Sequence, residues 1–157
     1  MTKPHQNILG PIHRSPSDTG DGLATIGFES RQIEVRIMPE DEPFEVAANL
    51  AAEVAGQLHE LDTTARRIIV ANLLRKYNTA WREYDEVQED GSLQTVSNPQ
   101  LSETEFAKKF SLSAVNVTGN TLVELSYGDS GLFGGHSVVV TSFAGTDFRE
   151  ASAELYG

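Results

Sequence analysis

Cysteine is absent from the 157 residues of the sequence. Its absence excludes disulfide bonds, thiolate metal ligands, iron–sulfur clusters and cysteine nucleophiles. Long apolar runs are missing as well: none approaches the roughly 20 residues that cross a bilayer, and no apolar segment of the secretion-signal type follows the N-terminus. We therefore expect a cytoplasmic protein that does not enter a membrane and whose fold is stabilised by packing.

Basic residues are scarce. Lys and Arg together number 12 against 23 Asp and Glu, which gives a formal net charge of -11. This balance argues against a nucleic-acid ligand, because phosphate binding requires a clustered basic face. An acidic surface suits a basic protein partner, although its commonest role is solubility.

The composition that remains is typical of one globular domain over residues 1–157, with 39% hydrophobic and 22% charged residues. The first 22 residues are rich in Pro, Gly, Ser and Asp. We expect this segment to be partly flexible, with a short edge strand over residues 8–12.

The N-terminal half contains two kinds of apolar periodicity. Alternation over residues 24–37 predicts a half-buried β-hairpin that turns near Ser30. Apolar residues at spacings of three and four then predict one helix over 43–59 and a second over 65–84. Asp62 and Thr63 are the predicted caps of the second helix at its N-terminus.

The C-terminal half begins with a polar stretch over 85–100, which predicts an exposed loop. Ser102 and Glu105 have the spacing of a capping box, so a short helix is expected to follow and to end near Phe110.

Three strands are predicted after that helix, over residues 113–118, 121–127 and 136–143. Gly119 and Asn120 suit a two-residue turn between the first two, and the tail is expected to form a helical turn over 147–153. This order of elements indicates an α+β fold. We expect a mainly antiparallel sheet, formed by the N-terminal hairpin and the C-terminal three-stranded meander, packed on two or three helices.

Several short features follow one another along most of the chain. In order they are Ile8-Leu9-Gly10, Leu73-Leu74, Tyr77-Asn78, Trp81, Glu105-Phe106 and Gly131-Leu132-Phe133-Gly134-Gly135-His136. With these features the chain resembles the domain of unknown function 2262 family, a group of mostly bacterial proteins, although Gly134 stands where a bulky residue is expected. The resemblance implies no catalytic residues. In size and acidity, members of the family resemble immunity and other small accessory proteins, which is an analogy at the level of class.

The loop before the last predicted strand invites two enzymatic interpretations. Gly128-Asp129-Ser130-Gly131 matches the tetrapeptide around the nucleophile of chymotrypsin-like proteases, but Leu132 follows it and no suitably placed histidine precedes it. His136 is the more suggestive residue, since it could act as a general base with Asp129 in a small hydrolase-like enzyme. The commoner role for such a histidine is structural, with a ring nitrogen bonded to a carbonyl.

No cofactor is expected. No second histidine stands at metal-ligand spacing from His136, and so no metal site is predicted. The glycines before His136 precede a strand, whereas phosphate-binding loops precede a helix.

Two surfaces remain as candidate contacts with a partner. One contains Leu132, Phe133, Gly135 and His136, with Trp81 on the predicted helix as a neighbour that belongs either to a pocket or to the core. The other is the acidic stretch that includes Glu86 and Glu89. The sequence therefore favours a non-enzymatic protein-binding or regulatory domain, immunity-like in character. The hydrolase-like enzyme is the alternative, and a homo-oligomer is a third possibility.

Overall fold

The computed structural model of the chain describes residues 8–15 and 20–157. Seven strands form one sheet in the order β1-β2-β3-β6-β7-β8-β9, and two further strands, β4 and β5, pair only with each other. The strands are β1 His13–Arg14, β2 Gly22–Phe28, β3 Arg31–Met38, β4 Glu83–Val87, β5 Leu93–Ser97, β6 Ser111–Thr118, β7 Leu122–Gly128, β8 Ser137–Ser142 and β9 Ser152–Tyr156.

The α+β class is confirmed, but the sheet is mixed. The N-terminal hairpin joins the C-terminal strands through a parallel pair, β3 with β6, in which Val35 lies opposite Val115. The other neighbouring pairs of the large sheet are antiparallel. Parallel neighbours require a long crossover connection, and here the chain between β3 and β6 supplies three helices and the β4–β5 hairpin.

The helices are α1 Phe44–Gly56, α2 Leu58–Lys76 and α3 Glu103–Ala107, and a π-helical turn, Tyr77–Trp81, extends α2. In α1 the buried residues include Ala47, Leu50, Ala51 and Val54, the stripe that the spacing predicts. The capping box of Ser102 and Glu105 is present on α3. Among the described residues, no helix has both the length and the apolarity needed to cross a membrane.

Asp62 and Thr63 do not cap the second helix, and that prediction is wrong. The helix starts at Leu58, which places both residues inside it, and Asp62 has 5% of its surface exposed. Asp commonly caps helices because its side chain bonds free backbone amides. Here the carboxylate instead accepts a hydrogen bond from the sheet.

Two predictions for the later part of the chain are wrong. The stretch 85–100 is not a loop throughout, because β4 and β5 form a hairpin whose turn carries Gly91 at a φ of 83°. The tail ends in β9, which pairs with β8, rather than in a helical turn. β4 and β9 are both short strands, and β4 is exposed along its length. Apolar periodicity therefore does not reveal them.

The predicted edge strand over residues 8–12 is wrong as well. Ile8 and Leu9 lie in a helical turn, Leu9 is buried, and the edge strand is β1 instead of residues 8–12. The expected flexibility falls partly on residues 1–7 and 16–19, which lie outside the described residues. The turn after β6 has three residues instead of two, because Thr118 pairs with Leu122.

A buried polar network fastens α2 to the sheet. The Tyr127 hydroxyl donates to Asp62 Oδ1 at 2.6 Å. Arg66 Nε donates to Asp62 Oδ2 at 3.0 Å, and its Nη1 donates to the carbonyls of Ala107 and Phe110. Asp62 and Arg66 on α2 together connect β7 with the end of α3 and the segment that follows it.

We predict that Tyr127→Phe lowers the free energy of unfolding by about 1–3 kcal/mol, because the variant leaves a buried carboxylate oxygen without its donor. Urea unfolding measures the change. Tyr156→Phe is the matched control, since Tyr156 is 48% exposed, and we expect its effect to stay within about 0.5 kcal/mol. Equal effects for the two variants would contradict this account.

The destabilisation by Tyr127→Phe should also depend on pH. Burial, the hydrogen bond to Asp62 and the charge of that carboxylate raise the pKa of Tyr127 far above its ordinary value of 10.0. Above that pH the unfolded chain binds fewer protons than the folded one, so the contribution of Tyr127 is complete below pH 10.0 and declines as the pH rises. Urea unfolding of the wild type and the variant between about pH 8 and about pH 11 should show their difference shrinking.

Candidate functional site

A surface cleft lies where the end of α2, the base of the β4–β5 hairpin and the loop between β7 and β8 meet. Its volume is about 750 Å³, within the range of ligand-binding pockets. The side chains that shape it include Trp81, Glu83, Tyr84, Leu101, Lys109 and Leu132.

The π-helical turn forms one wall of the cleft. The Arg82 amide donates to the Tyr77 carbonyl at 3.1 Å, five residues back, which is the π-helical spacing and one that often occurs at functional sites. Asn78, inside this turn, donates to the Leu101 carbonyl at 3.1 Å and accepts from the Leu101 amide at 3.0 Å. Burial raises the pKa of Tyr77, so this part of the wall is uncharged at neutral pH.

Asp129 organises the opposite wall, the loop between β7 and β8. It is 5% exposed, and its two carboxylate oxygens accept hydrogen bonds from the Gly131 amide at 2.9 Å and the Phe133 amide at 2.8 Å. Ser130 has a φ of 55° and Gly131 one of 83°, conformations that are strained for most residues but open to glycine. The carboxylate thus holds a loop that would otherwise resist this shape.

Phe133 lies beneath the loop, at the centre of an aromatic cluster. Its ring packs edge-on against Tyr77, Trp81 and Phe106 at centroid distances of 5.9, 5.5 and 6.2 Å. The side chain has no exposed surface. The prediction that Phe133 touches a partner therefore needs correction, because the residue supports the loop from the core while Leu132 lines the cleft.

His136 follows the loop and is partly buried. Its Nδ1 lies 2.7 Å from the Phe133 carbonyl oxygen, which can only accept, so Nδ1 carries the hydrogen in this contact. The ring packs edge-on against Trp81 at 5.5 Å. Among the described residues no hydrogen bond joins His136 to Asp129, whose oxygens are both engaged by amides. The geometry suits a structural histidine and gives the hydrolase-like alternative no support.

Glu86 and Glu89 lie on the β4–β5 hairpin, residues 83–97, which we name the acidic arm. Both side chains are exposed, and the arm packs little against the rest of the described chain. Val87 and Leu93 are paired across its strands and are 69% and 66% exposed. Because the base of the arm lines the cleft, the structure brings the two predicted contact surfaces next to each other.

Sequence reasoning missed several residues that line the cleft, among them Pro99, Lys109 and Ser130. Pro99 and Lys109 lie in segments with no periodic pattern, and only the tertiary fold brings them together. The sequence places Ser130 in a protease-like tetrapeptide, but in the structure its Oγ donates to the Lys109 carbonyl at 2.9 Å and so connects the loop to the segment after α3.

We predict that Asp129→Asn lowers the free energy of unfolding by about 1–3 kcal/mol, because an amide side chain offers one acceptor where two backbone amides need partners. Urea unfolding measures the stability, and amide hydrogen exchange should show faster exchange at Gly131 and Phe133. Asp147→Asn is the control, because Asp147 also accepts from a backbone amide, that of Arg149, but at an exposed position. A loop that exchanges at the wild-type rate would show that Asp129 does not hold it.

Comparison with known proteins agrees with the resemblance read from the sequence. A search of curated proteins and of solved structures finds no match to the chain. The profile of one family, described as an uncharacterized protein conserved in bacteria (DUF2262), matches residues 22–152. This match includes nearly all of the described sheet, the three helices between β3 and β6, the acidic arm and the cleft. The chain therefore belongs to the DUF2262 family.

Proposed function

We propose that the protein acts by binding a basic protein partner through the acidic arm and the adjoining cleft. The contact surface would comprise Glu86 and Glu89 on the arm and Leu132 and Trp81 in the cleft. Gly135 and His136, which follow the loop beside the cleft, would extend it. Binding of this kind would regulate or neutralise the partner, as immunity-like proteins do.

The acidic arm is the observation that carries the proposal. Residues 83–97 contain five acidic residues and no Lys or Arg. A two-stranded hairpin is at best marginally stable by itself, and this one gains little support from packing against the core. Exposed acidic side chains around an exposed apolar pair, Val87 and Leu93, match the polar rim and apolar centre of protein interfaces.

The arm is held firmly at its base. Arg82 donates to the carbonyls of Asn78 and Asn98 at 3.1 and 3.0 Å, and the Asn98 amide donates back to the Arg82 carbonyl at 2.8 Å. A hairpin that is anchored at its base loses less entropy on binding than a free one, which favours the arm as a contact site.

Self-association through the large sheet has less support. The β9 edge is partly covered, because the Ala153 amide donates to Asn72 Oδ1 on α2 at 2.9 Å. At the opposite edge, β1 pairs with only two residues of β2 and leaves the rest of that strand as the edge. A covered edge discourages strand pairing between copies, and the strong net negative charge adds repulsion between them.

The experiment compares two double charge reversals of equal net charge. Glu86→Lys with Glu89→Lys changes the arm, and Glu34→Lys with Glu53→Lys changes exposed positions on β3 and α1. Each variant, immobilised alongside the wild type, is exposed to extract of the native host, and a protein retained by the wild type is identified and titrated. We expect a basic protein whose affinity falls about 10-fold or more with the arm variant and far less with the control, since close charge pairs set interface specificity.

Retention should weaken with salt, because the contact is electrostatic. Equal losses of affinity with the two double variants would show that net charge, and not the arm, determines binding. If the intact, concentrated wild-type protein retained nothing, or retained a protein equally well with the arm reversed, the proposal would be overturned.

A further inference from the structure

The cleft at the base of the acidic arm combines two aromatic rings with a carboxylate. Trp81 and Tyr84 both line it, and Tyr84 is 50% exposed. Glu83 lies between them in sequence and is also exposed. Its carboxylate accepts one hydrogen bond, from Ser97 Oγ at 3.2 Å, and lies 4.0 Å from Arg82, so most of its acceptor positions remain available.

We propose that this cleft binds the cationic side chain of an arginine or lysine in the partner, an inference that rests on the proposed function. Aromatic faces attract cations, most strongly that of tryptophan, and Arg is the more frequent cation in such contacts. A neighbouring carboxylate adds a charge-assisted hydrogen bond.

The surroundings of the cleft favour a cation over an anion. The arm that rises from it contains five acidic residues and no basic one, so its field attracts positive charge towards the cleft. The volume of about 750 Å³ accommodates a long side chain together with the backbone on either side of it. The rings of Phe133 and His136 pack against Trp81, which gives the cleft a preformed wall.

Lys109 lines the same cleft and is its one basic residue among those described. Its exposed ammonium would repel a cationic occupant and attract an anionic one. The sign of its effect on binding therefore identifies the charge of the occupant.

The test uses the tryptophan of the cleft, the only one in the sequence, as a fluorescent reporter. The protein is titrated with acetyl-Gly-Arg-Gly-amide and, in parallel, with the peptide in which citrulline replaces arginine. The two peptides have nearly the same shape, but citrulline is uncharged. We expect a saturable change of Trp81 fluorescence with the arginine peptide and about two- to fivefold weaker binding of the citrulline peptide, the range that corresponds to a cation–π contact at an exposed site.

Three variants and one control test the assignment. Tyr84→Leu should weaken binding of the arginine peptide about two- to fivefold, and Glu83→Gln, which removes an exposed ion pair, should weaken it up to about fivefold. Lys109→Gln should strengthen binding. Glu34→Gln removes an equal charge on β3 and should leave binding unchanged. Thermal unfolding of each variant, expected to match the wild type because these side chains are exposed, excludes misfolding as the cause.

Equal binding of the arginine and citrulline peptides, or weaker binding with Lys109→Gln, would overturn the cation assignment. Binding of free arginine amide with the same affinity as the peptide would overturn the assignment to a partner's side chain and identify a small-molecule site. The proposed function fails separately, when reversal of Glu86 and Glu89 leaves partner capture intact.

Discussion

The hydrogen bond between the Tyr127 hydroxyl and the Asp62 carboxylate is the interaction on which the arrangement of the site depends. Tyr127 is the last buried residue of β7 before the loop that Asp129 organises, and Asp62 lies on the helix whose end forms the opposite wall. Arg66 extends the network to the carbonyls of Ala107 and Phe110, on either side of Lys109 in the chain. One buried carboxylate thereby fixes the relative positions of segments that line the cleft, although it lies outside the cleft itself.

The parallel pairing of β3 with β6 explains why those segments meet. It forces the chain to leave the sheet after β3 and to return in the same direction, so the helices and the acidic arm all belong to one connection. The arm begins after α2 and ends shortly before α3. Asn78 then closes this part of the connection, because it bonds both the amide and the carbonyl of Leu101.

Local chemistry made much of the fold predictable. Alternation in β2 and β3, the helical spacing in α1 and the capping box at Ser102 each depend on neighbours in sequence, and the structure confirms them. The prediction that Asp62 caps a helix is wrong because of a tertiary contact. An Asp side chain readily accepts from free backbone amides, but the Tyr127 hydroxyl and Arg66 donate to the two carboxylate oxygens of Asp62. The parallel pair could not be predicted, since alternation reports which face a residue occupies and not which strand lies beside it.

The site was predictable only where it depends on local sequence features. The glycine loop and Trp81 were recognisable as features, yet the sequence does not show that Phe133 turns inward and Leu132 towards the cleft. That division follows from Asp129, whose carboxylate bonds the Phe133 amide and so orients the residue. Because Phe133 then supports both Trp81 and the loop, the aromatic wall is preformed, and an occupant of the cleft need not order it. In the proposed contact, a preformed aromatic wall beside an acidic arm anchored at its base would lower the entropy cost of binding and leave more of the interaction energy as affinity and specificity.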